Sequence, residues 1–556
     1  METIPSFIEL IQRSIITHWD LDALTDYKGV TLQYHDVARK IEKLHIMFEN
    51  SGVEPGDKIA LWGRNSTQWA VAFLATLTYG AVAMPILHEF TNDQAHLIVN
   101  RGDAKLLFVD DVTAMKADPG QMPRLEGIIH LRDFTLMMSR SERLTYARTH
   151  LNEIFGIKYP KFFRPRHVRY HTEESPECLA IINHTSGTTG IPKGVMIPYR
   201  ALWSNLDFAH QELGKQVKAG DNLIDILPMA HMFGMTFGFL FGFLAGCHVY
   251  HLVPTPSPTA IAEAFARLKP TLVIATPYVV EKTIRKKVLP KVQTNTMRLL
   301  LHTPMLGKKI KRRISLQARE AFGGHVNEMV IGGASLNHEV EKFLRDIDFP
   351  FSVAYGCTEC APIICYAKRE ELAPGSCGRV TAHMKVRIAS PDPMSIPGEI
   401  LAKGINVMLG YHKDEESTCQ SLDEEGWYHT GDLATMDANG NVFFKGREKS
   451  ALPGDNGLPL CPEEMEDKLN SMPLVAESLV IWENGKLAAL LHPDYDEATR
   501  LGLTDNDITL VMEQNRCDFN ADTPASFHLH EVKIHEEEFA KTPKGSIKRY
   551  LYQKQE

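Results

Sequence analysis

The sequence predicts an α/β fold: a large, multi-lobed N-terminal domain with doubly wound, mostly parallel sheets, and a small α+β C-terminal domain. Three observations predict it. Strands and helices alternate in two parts of the chain, glycines directly follow several strands, and the sequence pattern changes after residue 447. The chain has 556 residues, of which 44% are hydrophobic, so it is long enough to bury more than one core.

The first alternation lies near the N-terminus. Apolar runs with the periods of strands and of helices follow one another there. They predict strands at Lys58–Trp62, Val82–Ile86 and Leu106–Val109 and helices at Ser66–Leu77 and Asn92–Asn100. Thr91 and Gln94 form a capping box, which fixes where the second of these helices begins. The alternation is typical of a parallel sheet with crossover helices.

The second alternation occupies the middle of the chain. It predicts helices at Ser257–Leu268 and Asn337–Ile347 and strands at Leu272–Ala275, Met329–Ile331 and Phe351–Ala354. Gly332, Gly333 and Gly356 come directly after two of these strands. Sharp turns are therefore expected at the carboxyl ends of the strands, where open α/β sheets bind ligands.

The C-terminal part of the chain has a different sequence pattern. A short loop rich in proline and glycine (residues 453–459) precedes a helix that opens with Pro462, and a hairpin turns at Asn484-Gly485 between apolar runs. We expect a separate domain of about a hundred residues here. The predicted domains are residues 1–446 and residues 447–556.

Composition excludes several classes of function. The formal net charge of −9 is spread along the chain, so no nucleic-acid partner is expected, since such a partner selects a basic surface. The nine cysteines are scattered and odd in number, and the first residues lack a secretion signal, which predicts a cytoplasmic protein. The apolar stretch Met232–Cys247 spans only about 24 Å as a helix, too short for a bilayer core of about 30 Å.

One segment carries the strongest chemical signal. Residues Asn183–Val195 follow an apolar strand-like run and combine small hydroxyl residues and glycines with one lysine, Lys193. Backbone amides and hydroxyls in such a turn wrap a polyphosphate, and the lysine adds a positive charge. The segment differs from the phosphate loop of common NTPases, because Lys193 follows a proline and precedes no hydroxyl residue.

This turn resembles the signature of the adenylate-forming superfamily, which includes acyl-CoA synthetases, firefly luciferase and the adenylation domains of peptide synthetases. Further segments agree in the family's order: Gly332–Leu336 with the adenine loop, Tyr355–Glu359 with the adenylate and magnesium loop, and Tyr428–Leu433 with the ribose site. Residues 456–466 look most like the long-chain fatty acyl-CoA synthetase branch.

The resemblance implies a role for each matching residue. Tyr355 would stack on adenine, Asp432 would bind the ribose hydroxyls, and Glu359 with Thr185 would hold Mg²⁺. Nucleotide binding is implied for Thr185, Ser186, Gly187, Thr188, Thr189, Gly190, Lys193, Gly333, Ala334, Ser335, Tyr355, Gly356, Cys357, Thr358, Asp432, Arg447 and Lys449. The implied catalytic residues are Lys193, His231, Glu359, Arg447 and Lys544. A metal fits the chemistry, because a carboxylate that attacks the α-phosphate of ATP faces like-charge repulsion.

Three features leave alternatives open. His231 matches the family segment beside the substrate carboxylate but is also compatible with a structural histidine. The helix that follows it carries glycines and phenylalanines at every fourth residue, either for core packing or to make room for an acyl chain. Cys357 and Cys360, with Cys365 and Cys377 nearby, leave a zinc site as a weaker interpretation.

The C-terminal motifs contain the main departures from the family. In relatives the small domain is mobile and pivots after a Gly-Arg pair, which places Lys449 at the pivot. Relatives carry their adenylation lysine where this chain has Ser546, and Lys544 is the candidate to supply the missing charge. Pro459 removes an amide from a loop that lines the pantetheine tunnel in relatives.

The resemblance implies ATP- and magnesium-dependent activation of a medium- or long-chain fatty acid, followed by thioester formation with coenzyme A. Delivery of the acyl group to a carrier protein is one alternative. A nucleotide- or lipid-binding homologue with impaired catalysis is another, suggested by Ser546. The segment Lys282–Arg313 is locally basic. It is either a solvated helix face, or a surface that contacts the phosphates of CoA, or a surface that contacts the inner face of an anionic membrane. Whether the protein forms a homodimer also stays open.

Overall fold

The structure is a computed structural model and describes residues 4–185, 192–252, 258–288, 306–453, 459–483, 485–541 and 547–552. Two large sheets, built mainly from parallel strands, organise the N-terminal part, and crossover helices cover them. Most of the buried apolar side chains of this part belong to one continuous core between the sheets and the helices. A second apolar core lies beside it, under residues 258–349.

The first large sheet carries both ends of the segment that the sequence predicts to bind phosphate. Its strand order within the described residues is β19-β9-β8-β4-β3-β5-β6-β7, and the five central strands from β8 to β6 are parallel. The strands are β3 Lys58–Trp62, β4 Val82–Ile86, β5 Ala104–Val109, β6 Gly127–His130, β7 Leu136–Ser139, β8 Leu179–Thr185, β9 Lys193–Pro198 and β19 Gly410–Tyr411. All three strands predicted near the N-terminus are confirmed.

The second large sheet carries the other ligand loops. Its order within the described residues is β16-β15-β14-β13-β12-β10-β11-β1-β2, parallel from β14 to β1 and antiparallel at both edges. The strands are β1 Asp22–Asp26, β2 Thr31–Gln33, β10 Asn222–Asp225, β11 His248–His251, β12 Leu272–Ala275, β13 Glu328–Gly332, β14 Phe351–Gly356, β15 Ile363–Lys368 and β16 Arg379–Val380. These parallel sheets confirm the predicted α/β class.

Several helices of the N-terminal part begin at polar residues whose side chains accept from the first turn. The Thr91 hydroxyl accepts from Gln94 N at 3.3 Å and the Gln94 side chain accepts from Thr91 N at 3.1 Å, which confirms the capping box. The helices are Phe7–Thr17, Tyr34–Ser51, Thr67–Thr78, Asn92–Arg101, Asp111–Ala114, Glu142–Thr149, Leu151–Lys158, Tyr199–Leu213, Phe241–Leu244, Pro258–Leu268, Pro277–Lys287, Leu306–Ala321, His338–Asp346 and Glu415–Ser421.

The apolar stretch Met232–Cys247 is largely buried. It forms a π-helix at Gly234–Leu240 that continues into the helix Phe241–Leu244. Within the described ranges, no helix is long and apolar enough to cross a bilayer. A Cβ on Gly242 would lie 2.6 Å from Leu223 Cδ2, so this glycine allows close packing on β10. That contact favours core packing over acyl-chain space as the reason for the glycines.

A smaller antiparallel sheet leads to the C-terminal part. It consists of β17 Met384–Ala389, β18 Gly398–Gly404, β20 Tyr428–Met436 and β21 Val442–Arg447. Beyond it come β22 Leu452–Pro453, β23 Pro459–Leu460, β24 Val475–Glu483, β25 Lys486–Pro493 and β26 Glu531–Ile534, with helices Pro462–Leu469, Tyr495–Leu501 and Asp505–Ala521. Glu483 pairs with Lys486, which confirms the hairpin. The apolar cores of this part contain only residues beyond 451; the domain border at 447 stays a prediction.

Candidate active site

The two ends of the phosphate-binding segment face each other. Thr185 is the last residue of β8, and Lys193 is the first residue of the antiparallel β9, directly opposite Thr185 in the register. The sequence therefore places a hydroxyl and an ammonium group at one sheet edge. Residues 186–191 lie outside the described residues, and with them the predicted ligands Ser186, Gly187, Thr188, Thr189 and Gly190.

Lys193 is held by residues far along the chain. Its Nζ donates to Ser417 Oγ at 2.8 Å and lies 5.0 Å from the ring centroid of Tyr411. Tyr411 belongs to β19, which pairs with β9. Ser417 lies in the first turn of the helix Glu415–Ser421, whose N-cap is Asp414. The sequence analysis missed Tyr411 and Ser417, because neither belongs to the segments that it quoted.

Glu359 lies close to Lys193. It occupies a short 3-10 turn, Thr358–Cys360, directly after β14. The Tyr411 hydroxyl donates to Glu359 Oε1 at 3.0 Å, so one tyrosine contacts both the predicted metal ligand and the phosphate-binding lysine. Among the described residues, no hydrogen-bond donor contacts Glu359 Oε2. The structure thus brings three predicted residues, Thr185, Lys193 and Glu359, to one place.

The donor set at this place fits magnesium. The described part of the chain has no cluster of three or more His, Cys, Asp or Glu residues suited to hold a metal ion. Mg²⁺ is usually held by one or two carboxylates together with substrate phosphates, and it prefers oxygen ligands. The Glu359 carboxylate and the Thr185 hydroxyl therefore suit it, with the remaining ligands supplied by a nucleotide.

A second group of predicted residues meets at the middle of β20 and the end of β21. The Tyr355 hydroxyl donates to Asp432 Oδ2 at 2.7 Å, and Arg447 Nε lies 3.2 Å from Asp432 Oδ1. Asp432 and Arg447 are directly paired in the register of these strands. The Asp432 charge raises the pKa of Arg447, and burial raises the pKa of Tyr355. A carboxylate between two donors is a suitable acceptor for hydroxyl groups.

The predicted adenine loop follows β13. Gly333 has φ +91, a backbone conformation that favours glycine, and Ala334 and Ser335 are exposed beside it. A Cβ on Gly332 would lie 3.0 Å from Phe233 Cζ, so this strand end packs against the segment that follows β10. The loop lies at the carboxyl edge of the sheet, next to the strand that leads to Tyr355.

His231 lies in the segment after β10, at the same carboxyl edge. The Asn183 side chain donates to Ala230 O at 2.9 Å and so connects this segment to β8. Asn65 binds the same segment, because Asn65 Oδ1 accepts a hydrogen bond from Met229 N at 2.8 Å. Phe233 N donates to His231 Nδ1 at 3.3 Å. Two side-chain amides, the buried Asn183 and the half-buried Asn65, therefore hold the segment of the histidine close to β8, and neither contact could be predicted from the sequence.

The cysteines near the nucleotide loop are free thiols. The hydrogen bond to Cys360 and burial raise the pKa of Cys357, and burial raises the pKa of Cys377 to about 12. Within the described residues these cysteines do not form, with other His, Cys, Asp or Glu side chains, a cluster of three or more that could hold a metal ion, so the structure does not favour the zinc interpretation.

The C-terminal motifs are only partly described. Lys449 is exposed in the 3-10 turn Glu448–Ser450, directly after Arg447. Lys544 and Ser546 lie outside the described residues. Lys541, which precedes them, bridges to Ile547 and has its Nζ 4.9 Å from the ring centroid of Tyr278, at the carboxyl end of β12. Lys541, the last described residue before Lys544, therefore lies close to the helix that follows β12.

The sequence pattern of the AMP-binding enzyme family matches residues 11–412, more than half of the chain. The chain belongs to this family.

Curated relatives of this AMP-binding enzyme include two long-chain fatty-acid ligases. Long-chain-fatty-acid–CoA ligase 5 of Mus musculus is 28% identical over 508 residues, which cover 84% of this chain and 72% of the relative. Long-chain-fatty-acid–CoA ligase ACSBG2 of Rattus norvegicus is 24% identical over 529 residues, 88% of this chain and 77% of the relative. The chain therefore spans most of the length of both.

Solved structures show the same fold. The anthranilate CoA ligase AuaEII in complex with anthranoyl-AMP superposes with a TM-score of 0.78 at 17% identity, over 99% of this chain and 97% of that one. ATP-bound MatB from Rhodopseudomonas palustris gives a TM-score of 0.75 at 19% identity, over 97% and 98%. These findings confirm the superfamily, the two-part α/β fold and the enzyme class predicted from the sequence, an AMP-forming acyl-CoA synthetase.

Proposed function

We propose that this AMP-binding enzyme activates a medium- or long-chain fatty acid with ATP and Mg²⁺ to an acyl-adenylate, and then transfers the acyl group to coenzyme A. The observation that carries the proposal is the meeting of Thr185, Lys193 and Glu359 through Tyr411. A hydroxyl, an ammonium and a carboxylate at one sheet edge are the groups that a triphosphate and its magnesium require.

In the adenylation step, this chain's residues would bind and orient the nucleotide. Asp432 would accept hydrogen bonds from the ribose hydroxyls, and Arg447, held beside it at 3.2 Å, would add donors for ribose or phosphate. Lys193 would neutralise charge on the triphosphate. Mg²⁺, held by Glu359 and Thr185, would supply further stabilisation of negative charge in the transition state.

The acid substrate would approach from the side of His231. The carboxylate of the acid would lie between this histidine and the α-phosphate. This place is at the carboxyl ends of strands β10, β13 and β14. The choice of a fatty acid rests on the relatives, which are named as long-chain-fatty-acid–CoA ligases.

A lysine must also meet the attacking carboxylate, and Lys544 is the candidate for this role. Loss of a cation that bridges carboxylate and phosphate costs roughly 3–4 kcal/mol, which is about a hundred- to thousandfold in rate. Lys544→Ala is therefore expected to slow adenylation by that factor. An unchanged adenylation rate would remove Lys544 from the mechanism and leave Ser546 uncompensated.

Thioester formation would follow a rotation of residues 447–556 about Lys449, which would replace one set of side chains at the site by another. Support comes from the exposed position of Lys449 directly after Arg447 and from the apolar cores beyond residue 451. Coenzyme A would be the acceptor. A carrier-protein pantetheine is the alternative acceptor, and Pro459 is the residue that raises it.

The experiment that tests the proposed function is exchange of labelled pyrophosphate into ATP with a panel of carboxylic acids of increasing chain length. The result expected is Mg²⁺-dependent exchange that is strongest with medium- or long-chain acids. Supplying CoA and a carrier protein separately then identifies the acceptor. Saturable ATP binding without exchange for any acid would favour the other candidate function, a nucleotide-binding regulator.

The basic segment supports a peripheral contact with an anionic membrane. On the helix Leu306–Ala321, Lys309, Arg312 and Arg313 are exposed. Among the described residues, this helix has one ion pair, between Lys311 and Asp346 at 4.0 Å. Basic side chains near an anionic surface contribute about 1 kcal/mol each. Co-sedimentation with anionic vesicles that is lost in high salt would support a cytoplasmic enzyme that works at the inner face of a membrane.

A further inference from the structure

Glu359 is held at both its backbone and its side chain by one short segment, residues 408–418, called here the Tyr411 segment. Met408 N donates to Glu359 O at 2.8 Å, and the Tyr411 hydroxyl donates to Glu359 Oε1 at 3.0 Å. Two contacts from neighbouring residues of one segment fix the position and the direction of a carboxylate better than either alone.

The same segment also holds Lys193. The ring of Tyr411 lies under the ammonium group, with 5.0 Å between Nζ and the ring centroid, and Ser417 Oγ accepts from Nζ at 2.8 Å. Their backbones are joined too, because Tyr411 pairs with Val195 and His412 N donates to Gly194 O at 2.7 Å. The Tyr411 segment is therefore the common support of the lysine and the carboxylate.

Tyr411 itself has little freedom. Its side chain is buried, with 7% of the residue exposed, and its backbone N donates to Thr418 Oγ1 at 2.9 Å. Gly410 before it has φ +135, which favours glycine and turns the chain into β19. The hydroxyl of Tyr411 acts toward Glu359 as a donor, because a carboxylate oxygen accepts hydrogen bonds.

From this geometry we infer that Tyr411 is a positioning residue for adenylation, acting on Mg²⁺ through its hydroxyl and on the triphosphate through its ring. The hydroxyl occupies Glu359 Oε1 and so presents Oε2 to the metal. The ring stabilises the ammonium of Lys193 by a cation–π contact in the position from which it reaches phosphate. The inference rests on the proposed roles of Glu359 as metal ligand and of Lys193 as phosphate ligand.

The two parts of the tyrosine have separable effects. Loss of a hydrogen bond that orients a metal ligand typically weakens metal affinity about 10- to 100-fold. Tyr411→Phe removes this bond but keeps the ring, so it affects the requirement for Mg²⁺ alone. Tyr411→Leu removes both, so it also weakens the contact of Lys193 with ATP. A residue that only stabilises the fold would give no such division.

The test is ATP binding by calorimetry on the full chain over a series of Mg²⁺ concentrations, which needs no knowledge of the acid substrate. For Tyr411→Phe we expect the half-saturating Mg²⁺ concentration to rise about tenfold, with wild-type ATP affinity recovered at saturating Mg²⁺. For Tyr411→Leu we expect ATP affinity to stay below wild type even at saturating Mg²⁺. Tyr199→Phe is the matched control, because it removes a buried phenol bonded to Leu77 O.

Two further variants separate the possible failures. Glu359→Gln should raise the half-saturating Mg²⁺ concentration, and the double variant with Tyr411→Phe should be no worse than Glu359→Gln alone, because the tyrosine acts through the carboxylate. If Glu359→Gln shifts the Mg²⁺ dependence and Tyr411→Phe does not, the inference is overturned while the proposed function stands. If Glu359→Gln leaves it unchanged, the proposed metal ligand and the inference fall together.

Discussion

At the first residue of β13, the carboxyl group of Glu328 is buried beside Ser352 of the neighbouring strand β14, with 8% of the residue exposed. Burial raises its pKa to about 7, against an opposing effect of the Ser352 hydroxyl. Glu370 acts in the same direction as burial, and Lys368 and Arg369 act against it. The folded chain therefore retains a proton that the unfolded chain releases near pH 4.5.

This shift predicts how stability depends on pH. Between about pH 4.5 and pH 7 the unfolded state binds fewer protons at this carboxyl than the folded state, so its contribution to stability is lost as the pH rises. Glu328→Gln keeps the shape without the ionisation. We expect it to raise the free energy of unfolding at pH 8 by up to about 3 kcal/mol, the equivalent of the shift.

Denaturant unfolding at pH 8 and at pH 4 provides the measurement. The increase in the free energy of unfolding caused by Glu328→Gln should be larger at pH 8 than at pH 4, because at pH 4 the native carboxyl is already neutral. Glu424→Gln, an exposed carboxyl, is the control and should leave both values unchanged. An equal effect of Glu328→Gln at the two pH values would contradict the buried, neutral state of this group.

Residues of the site differ in how far the sequence could predict them. Thr185, Lys193 and Glu359 belong to contiguous segments with a recognisable composition, and the structure brings them together. Tyr411 contacts Glu359 across 52 positions of the chain. The strand β19, which contains Tyr411, is only two residues long, too short for a periodic pattern. Contacts of this kind depend on the folded sheet, which the sequence pattern does not specify.

At the level of elements, strands were predicted closely and helix starts less so. Ser66 and Asn337 were expected inside their helices, whereas both are N-caps whose side chains accept from backbone amides of the first turn. Capping residues have extended backbones and side chains that replace helical hydrogen bonds, so composition alone counts them as helical. The helix predicted from Ser257 is described from Pro258 onward.

Two helical glycines give opposite predictions for the same substitution. A Cβ on Gly242 would meet Leu223 Cδ2 at 2.6 Å, whereas a Cβ on Gly156, in the helix Leu151–Lys158, would meet nothing within 4 Å. Gly242→Ala should lower the free energy of unfolding by about 1–3 kcal/mol through overpacking. Gly156→Ala should raise it by about 0.5–1 kcal/mol, because alanine loses less backbone entropy.

Thermal and denaturant unfolding of the two variants tests this contrast. Neither glycine belongs to the candidate site, so ATP affinity at a temperature where both variants are folded serves as a control. Stabilisation by Gly242→Ala would show that the helix after the π-helix does not pack tightly on β10.

For the whole molecule, the sequence predicted the class of fold but not the order of strands in the sheets. The strand β9, for example, lies between β8 and β19, and the latter comes more than two hundred residues later in the chain. Long-range pairing of this kind leaves no local pattern. The same pairing joins the phosphate-binding segment to the Tyr411 segment and so creates the site.

The small C-terminal part contacts the large one at its carboxyl edge. Asn337 Nδ2 donates to Ser471 Oγ at 3.0 Å, and Arg285 donates to Asn470 O at 3.2 Å. Lys541 lies over Tyr278 on the same side. A few polar contacts of this kind are typical of interfaces that open and close, which agrees with the proposed rotation about Lys449.

Lys449→Pro tests that rotation. Lys449 lies in a 3-10 turn, whose φ is compatible with proline, while the ring removes the freedom to change φ. We expect pyrophosphate exchange by Lys449→Pro to equal that of Lys449→Ala, and thioester formation from supplied acyl-adenylate and CoA to be strongly slowed in the proline variant alone. Lys449→Ala is the control, because it removes the same side chain and keeps a free φ. Equal loss of both activities in the proline variant would place the pivot elsewhere.

Lys193 and Glu359 are proposed to bind one magnesium nucleotide together, and a crystal structure of the full chain with ATP and Mg²⁺ tests this directly. We expect triphosphate oxygens within hydrogen-bond distance of Lys193 Nζ and the metal about 2.1 Å from a Glu359 carboxylate oxygen. Nucleotide bound at a place that touches neither residue would contradict it.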